Sequence, residues 1–428
     1  MRFDSLSEWL AWQQSLHPQT MDFDLRRIAD VWARLGRPPV ASAVISVAGT
    51  NGKGSCIAYL EAVYRHAGYR VGSYTSPHLY SYTERIRVQG VPIDPQVLCE
   101  VFAEVDRYRD TVSLTYFEFG TLAALLYFAR QNLDVVLLEV GLGGRLDAVN
   151  IIDADCALIT SVGLDHQQWL GQTREQIGYE KAGIFRAGRP AVCGESMPPD
   201  SVRQYARQLE VPLLIYGKHY QVQTDENGWH WIGAAAEFER DYYALPWPCL
   251  RGQHQLQNAA AAVAVAELNA ARFPLSTAAI RQGVGAAQLH GRFEVLPGTP
   301  EVILDVAHNL QSARALAHNL SVHRYQGRSR AIFALMKDKD IDAILGEVWE
   351  QIDDWYLVAL DDPRAMDLKS IQTHVRARKL HGELVEFGDA ASACEYVRSN
   401  AGTGDRIVVF GSFVLVGEVG KIWPTVGR

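Results

Sequence analysis

The pattern of hydrophobic and polar positions along the chain predicts strands that alternate with helices. The β-branched run Val44–Val47 ends at a group of glycines and is followed by an amphipathic stretch, Cys56–Tyr64, which is the order strand, loop and helix. Asp134–Val140 is almost continuously apolar and predicts a parallel strand buried on both faces. Shorter strands are predicted over 69–74 and 155–160. Further helices are predicted within residues 5–36 and over about 116–131, 174–185, 255–271 and 277–288.

The last part of the chain has its own alternation of strands and helices, which predicts a second α/β domain. We place the boundary near Leu289, so that residues 1–288 form one domain and residues 289–428 form a smaller one. The aromatic-rich region 190–250 contains short apolar runs at Leu213–Tyr216 and Tyr242–Leu245, which predict a small side sheet in the first domain. The strands predicted for the second domain are Glu301–Val306, Arg330–Met336, Trp355–Leu360, Glu383–Phe387 and Arg406–Phe410.

The glycine-rich stretch after the first strand predicts a polyphosphate site. It reads Gly49-Thr50-Asn51-Gly52-Lys53-Gly54-Ser55. Glycines let successive N–H groups point at one spot, the helix N-terminus adds partial positive charge, and Lys53 adds a full charge. The hydroxyl of Ser55 is placed to reach a phosphate-bound Mg²⁺. The spacing G-x-x-G-K-G-S differs from the common P-loop, and a glycine-rich turn of no special function is the alternative.

Polar residues that could bind phosphate or Mg²⁺ follow several of the predicted strands. They are Ser55, Ser76, Glu139 and His166. The carboxyl ends of parallel strands share one edge of a sheet, and ligands bind at that edge. Taken singly, Glu139 could be an exposed strand tip and His166 a capping or core residue. Their common placement favours a site.

Composition and charge exclude several classes of protein. Hydrophobic residues make up 48% of the chain and charged residues 21%, which is ordinary for globular proteins. A formal charge of −8 gives no support to a nucleic-acid or membrane surface. No apolar stretch is long enough to span a membrane, and the N-terminus lacks the apolar core of a signal peptide. The six cysteines are scattered without a C-x-x-C pair, which favours a reducing, cytoplasmic location.

A set of short blocks follows one another in a characteristic order along nearly the whole chain. They are VAGTNGKGS, TSPHL, LTYFEFGT, EVGLGGRLDA, GLDH, EKAGI, GRFE, DVAHN and a terminal GSFVLVGEV. Their order and spacing resemble the dihydrofolate synthase/folylpolyglutamate synthase family of the Mur ligase superfamily. Agreement around MDFDL, SLTYFEFGT and WLGQTRE resembles the bifunctional bacterial form.

The resemblance implies both a fold and an activity. The fold would be a Mur-ligase-like P-loop ATPase domain, with a mainly parallel sheet and a small side sheet, plus a smaller Rossmann-like α/β domain. The activity would be ATP-dependent addition of L-glutamate to 7,8-dihydropteroate and to reduced folates through an acyl phosphate. Two Mg²⁺ ions would assist, and a monovalent cation is a further candidate. The family is often monomeric, so a monomer is implied, with no nucleic-acid or membrane partner.

The resemblance also implies roles for individual residues. ATP would contact Thr50, Asn51, Gly52, Lys53, Gly54, Ser55, Asn258, Arg292 and Asp305. One Mg²⁺ would be bound by Ser76 and Glu139, and a second would be served by Glu139, His166 and Lys181. The dihydropteroate pocket would include Thr20, Met21, Asp22, Phe23, Thr115, Tyr116 and Leu146, while His308 and Ser412 would lie near the glutamate. The implied catalytic residues are Lys53, Lys181, His166 and His308.

Lys181 has two alternative interpretations. By resemblance it would be carbamylated, which converts a cation beside the metal ions into an anion that could bridge His166 and the metal. A salt bridge to Glu175 or Glu180 is the alternative. Helical geometry leaves this open, because neighbouring residues on a helix point about 100° apart.

Four other functions remain open at this level. A monofunctional folylpolyglutamate synthase would extend folates only. A peptidoglycan Mur ligase normally carries a full domain before the P-loop, and too few residues precede Gly49 here. A nucleotide-binding switch and a phosphotransferase are the others. The chain also departs from the family at His290 and Leu310, where proline is common; both are predicted loop positions.

Overall fold

The computed structural model describes residues 2–19, 21–238 and 240–423. The chain divides into two units. The first unit comprises the chain up to residue 78 with residues 83–249 and 255–288. The second unit comprises the chain from residue 289 onward together with the short segments 79–82 and 250–254. No helix in the described ranges combines the length and apolar character that a membrane crossing requires.

The first unit alternates strands and helices, as the hydrophobic pattern predicts. Its helices are α1 Leu6–Ser15, α2 Leu25–Arg34, α3 Lys53–His66, α4 Pro95–Arg109, α5 Tyr116–Phe128, α6 Gln167–Leu170, α7 Arg174–Ala182, α8 Asp200–Gln208, α9 Gln253–Leu268 and α10 Thr277–Ala286. Its strands are β1 Ala43–Ala48, β2 Val71–Tyr74, β3 Ile86–Val88, β4 Val91–Pro92, β5 Val135–Glu139, β6 Cys156–Ile159, β7 Ala191–Cys193, β8 Leu213–Ile215, β9 Tyr220–Asp225, β10 Gly228–Gly233 and β11 Tyr242–Leu245.

The large sheet of the first unit is mainly parallel. Within the described ranges it has eight strands in the order β4-β3-β2-β5-β1-β6-β7-β8. All neighbours from β2 to β8 pair in parallel, whereas β3 and β4 form an antiparallel edge. Every residue of β1 and β5 is buried, because helices cover both faces of a parallel sheet. The predicted α/β fold class is confirmed, and the ends of β1, β2, β5 and β6 meet at one edge.

A small antiparallel sheet packs on α9 in the same unit. Its described strands run in the order β11-β10-β9. Trp229 and Trp231 of β10 are fully buried, and the indole N–H of Trp231 donates to the carbonyl of Ala260 at 3.0 Å. The prediction that Leu213–Tyr216 belongs to this sheet is wrong. β8 instead pairs in parallel with β7 at the edge of the large sheet, because its short apolar run suits a buried parallel edge equally well.

The second unit has a smaller, mostly parallel sheet. Its strands are β12 Glu294–Leu296, β13 Glu301–Leu304, β14 Ser329–Phe333, β15 Asp354–Val358, β16 Leu384–Phe387 and β17 Arg406–Phe410. Its helices are α11 Leu310–Val322, α12 Ile341–Val348, α13 Leu368–Arg376, α14 Ala390–Asn400 and α15 Phe413–Ile422. The described strands lie in the order β12-β13-β17-β14-β15-β16, and only β12 pairs antiparallel. Buried apolar residues cover both faces of the sheet.

The two departures from the family pattern lie at positions where the absence of proline costs little stability. The prediction that Leu310 lies in a loop is wrong, because it is the first residue of α11, a position where proline is tolerated but not required. His290 lies before β12 and its Nδ1 is 2.8 Å from a carboxylate oxygen of Glu294. Neither residue disturbs the adjoining strand or helix.

Candidate active site

The loop between β1 and α3 has the shape of an anion-binding turn. Gly52 sits in the left-handed region, at φ 87°, directly before α3, and a Cβ there would lie 2.6 Å from Asn258 Oδ1. A Cβ on Gly49 would lie 1.8 Å from Thr160 Oγ1. The ammonium group of Lys53 donates to the carbonyls of Gly49 at 3.1 Å and Thr50 at 3.4 Å. The loop therefore depends on glycine at two positions, and its lysine lies over its own carbonyls.

The segment after β6 braces this loop. The amide of Thr50 donates to the carbonyl of Ser161 at 2.8 Å, and the amide of Asn51 donates to the Ser161 hydroxyl at 3.0 Å. The hydroxyl of Thr160 donates to the Asn51 carbonyl at 2.6 Å. Thr50 Oγ1 and Gly163 also exchange two hydrogen bonds. These contacts fix the backbone of the loop from the neighbouring strand.

Helix α9 closes the other side of the loop. Asn258 donates to Gln255 Oε1 at 3.0 Å, and Gln255 donates to the hydroxyl of Ser55 at 3.3 Å. Ser55 is buried, with 2% of its surface exposed. The predicted ATP residues Ser55 and Asn258 are thus brought together through Gln255, which the sequence did not single out.

Ser76 and Glu139 meet at the same edge of the sheet. The amide of Ser76 donates to Glu139 Oε2 at 3.0 Å, and Glu139 is 4% exposed. A buried carboxylate needs partners that offset its desolvation. Because β2 and β5 are adjacent and parallel, the carboxyl ends of the two strands place Ser76 and this carboxylate side by side, as the strand pattern predicts.

Lys181 is buried among charged groups near the loop. It is 3% exposed. Burial, together with repulsion from Lys53, lowers the pKa of Lys181 to about 7, while Asp165, Asp147 and Glu195 oppose the shift. A lysine whose pKa lies near neutrality has a substantial neutral, nucleophilic fraction at physiological pH.

The alternative partners for Lys181 are engaged elsewhere. Glu180 accepts from Arg145 at 2.9 Å. Glu175 accepts from the amides of Asp200 and Ser201 at 3.1 and 2.8 Å. The structure therefore gives no support to a salt bridge between Lys181 and either glutamate.

His166 follows β6 and starts the short helix α6. Its backbone is left-handed, at φ 50°, which is uncommon for a residue with a side chain. Its amide donates to Asp165 Oδ1 at 2.8 Å, and its ring Nε2 lies 3.9 Å from the same oxygen. About a third of the His166 side chain, 32%, is exposed. The ring is therefore held beside an acid and is accessible from solvent.

A cavity of about 230 Å³ opens beside this edge. Its walls combine apolar side chains with a few polar ones, which is typical of sites for small planar ligands. The residues that line it are Met21, Asp22, Phe23, Asp24, Leu25, Ser76, Pro77, Arg85, Thr115, Phe117, Glu118, Gly141, Leu142, Leu146, Asp147 and Ala148. Five predicted substrate residues, Met21, Asp22, Phe23, Thr115 and Leu146, are among them, together with Ser76.

Tyr116, another predicted substrate residue, is not among the residues that line the cavity. Tyr116 lies next to it, with the Arg85 guanidinium 5.7 Å from its ring centroid. Burial raises the pKa of the Tyr116 phenol, and Arg85 opposes that shift. Thr20 lies outside the described residues.

One wall of the cavity carries a charged network that the sequence analysis missed. Arg27 contacts Asp22 at 2.7 Å and Glu118 at 3.1 Å. Glu118 also accepts from the amide of Thr115 at 2.7 Å, closing a capping box. His17 Nε2 lies 3.3 Å from Asp22. The T-x-x-E spacing of Thr115 and Glu118 is the sequence signal that could have identified this cap.

Asp147 is a second residue that the sequence analysis missed. It accepts from the amides of Leu142 at 2.8 Å and Val149 at 3.1 Å. Burial raises the pKa of Asp147 to about 7, although these hydrogen bonds and Lys53 favour its charged form. Asp147 holds the turn after β5 in shape and presents a buried carboxyl group to the cavity. In the sequence, an aspartate directly before the short turn at residues 148–151 is the signal that could have identified Asp147 as an N-cap.

The predicted residues of the second unit lie at the carboxyl edge of its own sheet. Asp305 accepts from the amides of Phe293 at 2.9 Å and Ala307 at 2.8 Å. Burial raises the pKa of Asp305 to about 6, opposed by Arg292. The Arg292 guanidinium lies 5.3 Å from the ring centroid of Phe413. Nδ1 of His308 donates to the carbonyl of Val306 at 2.7 Å.

Ser412 also has a structural role at this edge. It is the N-cap of α15, and its hydroxyl accepts from the amide of Val414 at 3.2 Å. With 2% exposure, Ser412 is a buried cap rather than an open hydroxyl.

Comparison with known proteins agrees with this geometry. Residues 47–266 match the Mur ligase middle domain, and residues 291–413 match the glutamate ligase domain of Mur ligases. The chain is 40% identical to dihydrofolate synthase/folylpolyglutamate synthase of Escherichia coli over 97% of its length and 95% of that protein. It is 30% identical to the Bacillus subtilis protein of the same name over 93% of this chain and 94% of that one.

The chain belongs to the dihydrofolate synthase/folylpolyglutamate synthase family. Members of this family are ATP-dependent acid–amino-acid ligases with Mur ligase domains, and the predicted resemblance is confirmed. The structure is also similar to solved family members. Escherichia coli FolC in complex with DHPP and ADP superposes with a TM-score of 0.92 at 40% identity, covering 99% of each chain. The Yersinia pestis enzyme of this family, complexed with AMPPNP and Mn ion, has a TM-score of 0.89 at 42% identity and covers 98% of each chain.

The edge of the large sheet fits a divalent ion of the kind that this family uses. Within residues 2–19, 21–238 and 240–423, no three histidine, cysteine, aspartate or glutamate side chains converge as a metal site. The hydroxyl of Ser76 and the carboxylate of Glu139 supply hard oxygen donors, which suit Mg²⁺. Mg²⁺ is commonly bound by one or two carboxylates with water and phosphate oxygens, so a protein-only cage is not required. The family use of ATP and a divalent cation is consistent with this donor set.

Proposed function

We propose that this chain joins L-glutamate to the carboxylate of 7,8-dihydropteroate and to reduced folates, at the expense of ATP. The observation that carries the proposal is the double role of Ser76. It lines the cavity and its amide contacts Glu139 at the carboxyl edge of the sheet. A planar substrate in the cavity would therefore present its carboxylate at the edge that also carries the glycine loop.

The chemistry begins with the substrate carboxylate. A carboxylate oxygen attacks the γ-phosphorus of ATP, the bond to the β-phosphate oxygen breaks, and ADP leaves with an acyl phosphate remaining on the substrate. Lys53 and the N-terminal amides of α3 stabilise the negative charge on the transferred group. Mg²⁺, when bound by Ser76 and Glu139, supplies further positive charge to the phosphates. The walls of the cavity exclude water from the acyl phosphate.

The second step forms the amide. The neutral amine of glutamate attacks the acyl carbon, the C–O bond to phosphate breaks, and inorganic phosphate leaves with the bond electrons. The nitrogen loses a proton to complete the amide. We propose His308 for the glutamate side of the reaction, because its Nδ1 donates to the Val306 carbonyl and the neutral ring therefore keeps Nε2 as an acceptor.

Lys181 is proposed to act as a carbamate. The ammonium group first gives up one proton, the neutral amine then attacks carbon dioxide, a C–N bond forms as one C–O π bond opens, and a second proton is released, so that a cation becomes an anion. The lowered pKa of Lys181 makes the neutral amine available. Glu175 and Glu180 bind other groups, which supports a carbamate over a salt bridge to either of them. ¹³C NMR with labelled bicarbonate tests it: a carbamate resonance is expected from the wild type and none from Lys181→Ala. The same spectrum from both proteins would refute it.

Several finer points stay predictions. They are the use of two Mg²⁺ ions, a monovalent cation, a monomeric state and a cytoplasmic location. The six cysteines lie in the described ranges and are free thiols, which supports the last point. The ATP contacts predicted for Thr50, Asn51, Gly54, Asn258, Arg292 and Asp305, and the substrate contacts of Thr20, Tyr116 and Ser412, belong to the same proposal.

Product analysis by mass spectrometry tests the function. Dihydropteroate and a reduced folate are offered separately, each with glutamate and Mg–ATP, and both are expected to gain glutamate. Extension of the folate alone would indicate a monofunctional folylpolyglutamate synthase. ATP binding without turnover would indicate a switch, and glutamate-independent release of ADP with a stable phosphorylated product would indicate a phosphotransferase. Any of these three results would overturn the bifunctional assignment.

A further inference from the structure

An exposed tryptophan packs on an aromatic ring that lines the substrate cavity. Trp169 of α6 has 44% of its surface exposed. Its ring centroid lies 5.6 Å from that of Phe23, with the planes tilted by 53°, and Phe23 lines the cavity. Pairs of aromatic rings at this separation attract each other. The Phe23 ring thus borders the cavity and also contacts the ring of Trp169, which is about half exposed to solvent.

The short helix that carries Trp169 packs between two segments that contribute to the cavity. Trp169 contacts the wall formed by residues 21–25 through Phe23. The next residue, Leu170, is 6% exposed and packs closely on the loop after β5, where a Cβ on Gly143 would lie 2.9 Å from it. The amides of Trp169 and Leu170 both donate to the carbonyl of His166, at 2.9 and 3.1 Å. These contacts hold the backbone of α6 in place beside Phe23.

We infer that Trp169 is a substrate-positioning residue: its ring packs on Phe23 and holds Phe23 in place as the wall on which the planar rings of the pteroyl substrate lie. This inference rests on the proposed function, and it names the part of the substrate concerned. Leu170 already anchors α6, so the fold itself gives no reason for a large exposed aromatic side chain at residue 169. Flat aromatic ligands gain from stacking on such rings.

Steady-state kinetics of Trp169→Ala and Trp169→Phe test the inference. Trp169→Ala is expected to raise KM for dihydropteroate roughly three- to tenfold, with KM for ATP and for glutamate within about twofold of wild type. Trp169→Phe keeps an aromatic ring and should restore most of the affinity. Trp247→Ala is the matched control, because Trp247 is 55% exposed but, unlike Trp169, is not paired with the ring of Phe23.

A binding measurement makes the test independent of turnover. Quenching of tryptophan fluorescence by dihydropteroate is expected to be smaller in Trp169→Phe than in wild type and unchanged in Trp247→Phe. An unchanged KM for dihydropteroate in Trp169→Ala would overturn the inference. So would an equal rise in all three KM values, which would indicate a purely structural role, or a failure of phenylalanine to rescue. A wild type that ligates neither pteroyl substrate would instead overturn the proposed function.

Discussion

The two mainly parallel sheets of this protein both have polar residues at their carboxyl edges, but these residues have different roles at the two edges. At the edge of the first unit, Lys53 and Lys181 are close enough for repulsion to lower the pKa of Lys181, and Glu139 is buried at the same edge. At the edge of the second unit, Asp305 and Ser412 accept hydrogen bonds from backbone amides. His308 donates to a backbone carbonyl.

This difference distinguishes residues that take part in the reaction from residues that stabilise the fold. Parallel topology brings polar side chains together at both edges. The first edge combines buried charged groups with an adjacent cavity, which is the combination expected of a reacting site. At the second edge the same residue types brace turns and cap a helix. Mutations at the first edge should therefore affect activity, and mutations at the second should affect stability as well.

The largest effect is expected for Lys53→Ala. Removing the cation from the glycine loop should lower the rate of ligation by about 10³-fold, because charge that develops on the transferred phosphoryl group loses its closest positive partner. The lysine sits on loop carbonyls rather than in the core, so thermal unfolding should be nearly unchanged. Lys218→Ala, an exposed lysine of the same unit, is the control. A folded Lys53→Ala protein with near wild-type turnover would contradict the account.

Substitution of one acidic residue at each edge tests whether the two edges differ in their roles in activity and stability. Glu139→Gln keeps an oxygen for the Ser76 amide but removes the charge, so ligation should fall about 10²-fold with little change in the free energy of unfolding. Asp305→Ala leaves the amides of Phe293 and Ala307 without their acceptor and should lower the free energy of unfolding by about 1–3 kcal/mol. Urea unfolding and steady-state kinetics measure both. The reverse pattern, stability lost at Glu139 and kept at Asp305, would break the comparison.

The pH dependence of stability should reveal the buried lysine. In the folded protein the pKa of Lys181 is lowered to about 7, so between about pH 7 and its ordinary value the unfolded chain binds more protons than the folded one. The free energy of unfolding should therefore rise with pH in that interval, by at most about 1.4 kcal/mol per pH unit. Lys181→Met should lose this slope in carbon-dioxide-free buffer. Parallel curves for the two proteins would contradict the assignment.

The smallest effect is expected for Ser412→Ala. Loss of the N-cap of α15 should lower the free energy of unfolding by about 1 kcal/mol. Ser399→Ala, at an exposed position on α14, should change it far less. If Ser412→Ala instead raises KM for glutamate and leaves stability unchanged, the hydroxyl serves the substrate rather than the helix.

The sequence predicted the first edge well because parallel topology turns a linear pattern into a spatial one. Ser76 and Glu139 are far apart in the chain, but each follows a strand, and adjacent parallel strands place them in contact. It was harder to assign residues 213–216 to the small sheet or to the edge of the large sheet, because this run is too short for its pattern to identify the strand with which it pairs. Strand pairing there depends on tertiary packing rather than on local propensity.

Most of the residues that the sequence did not single out were missed for a different reason. Arg27 meets Glu118 only in the folded chain, and Gln255 reaches Ser55 from a helix that is remote in sequence. Asp147 is the exception, because its partners Leu142 and Val149 are close in sequence and its N-cap signal was available. Trp169 has an aromatic side chain on a four-residue helix, where no periodicity can be read. Charge networks and ring contacts of this kind follow from packing, and a linear pattern carries little trace of them.

The central claim is that this chain activates a pteroyl carboxylate as an acyl phosphate and then joins it to glutamate. Oxygen-isotope transfer tests it most directly. Dihydropteroate labelled with ¹⁸O in its carboxylate is incubated with glutamate, Mg–ATP and the enzyme, and the released phosphate is analysed by mass spectrometry. The account predicts that the phosphate carries one labelled oxygen and that the amide product keeps the other. Phosphate without label, released as the amide forms, would contradict it.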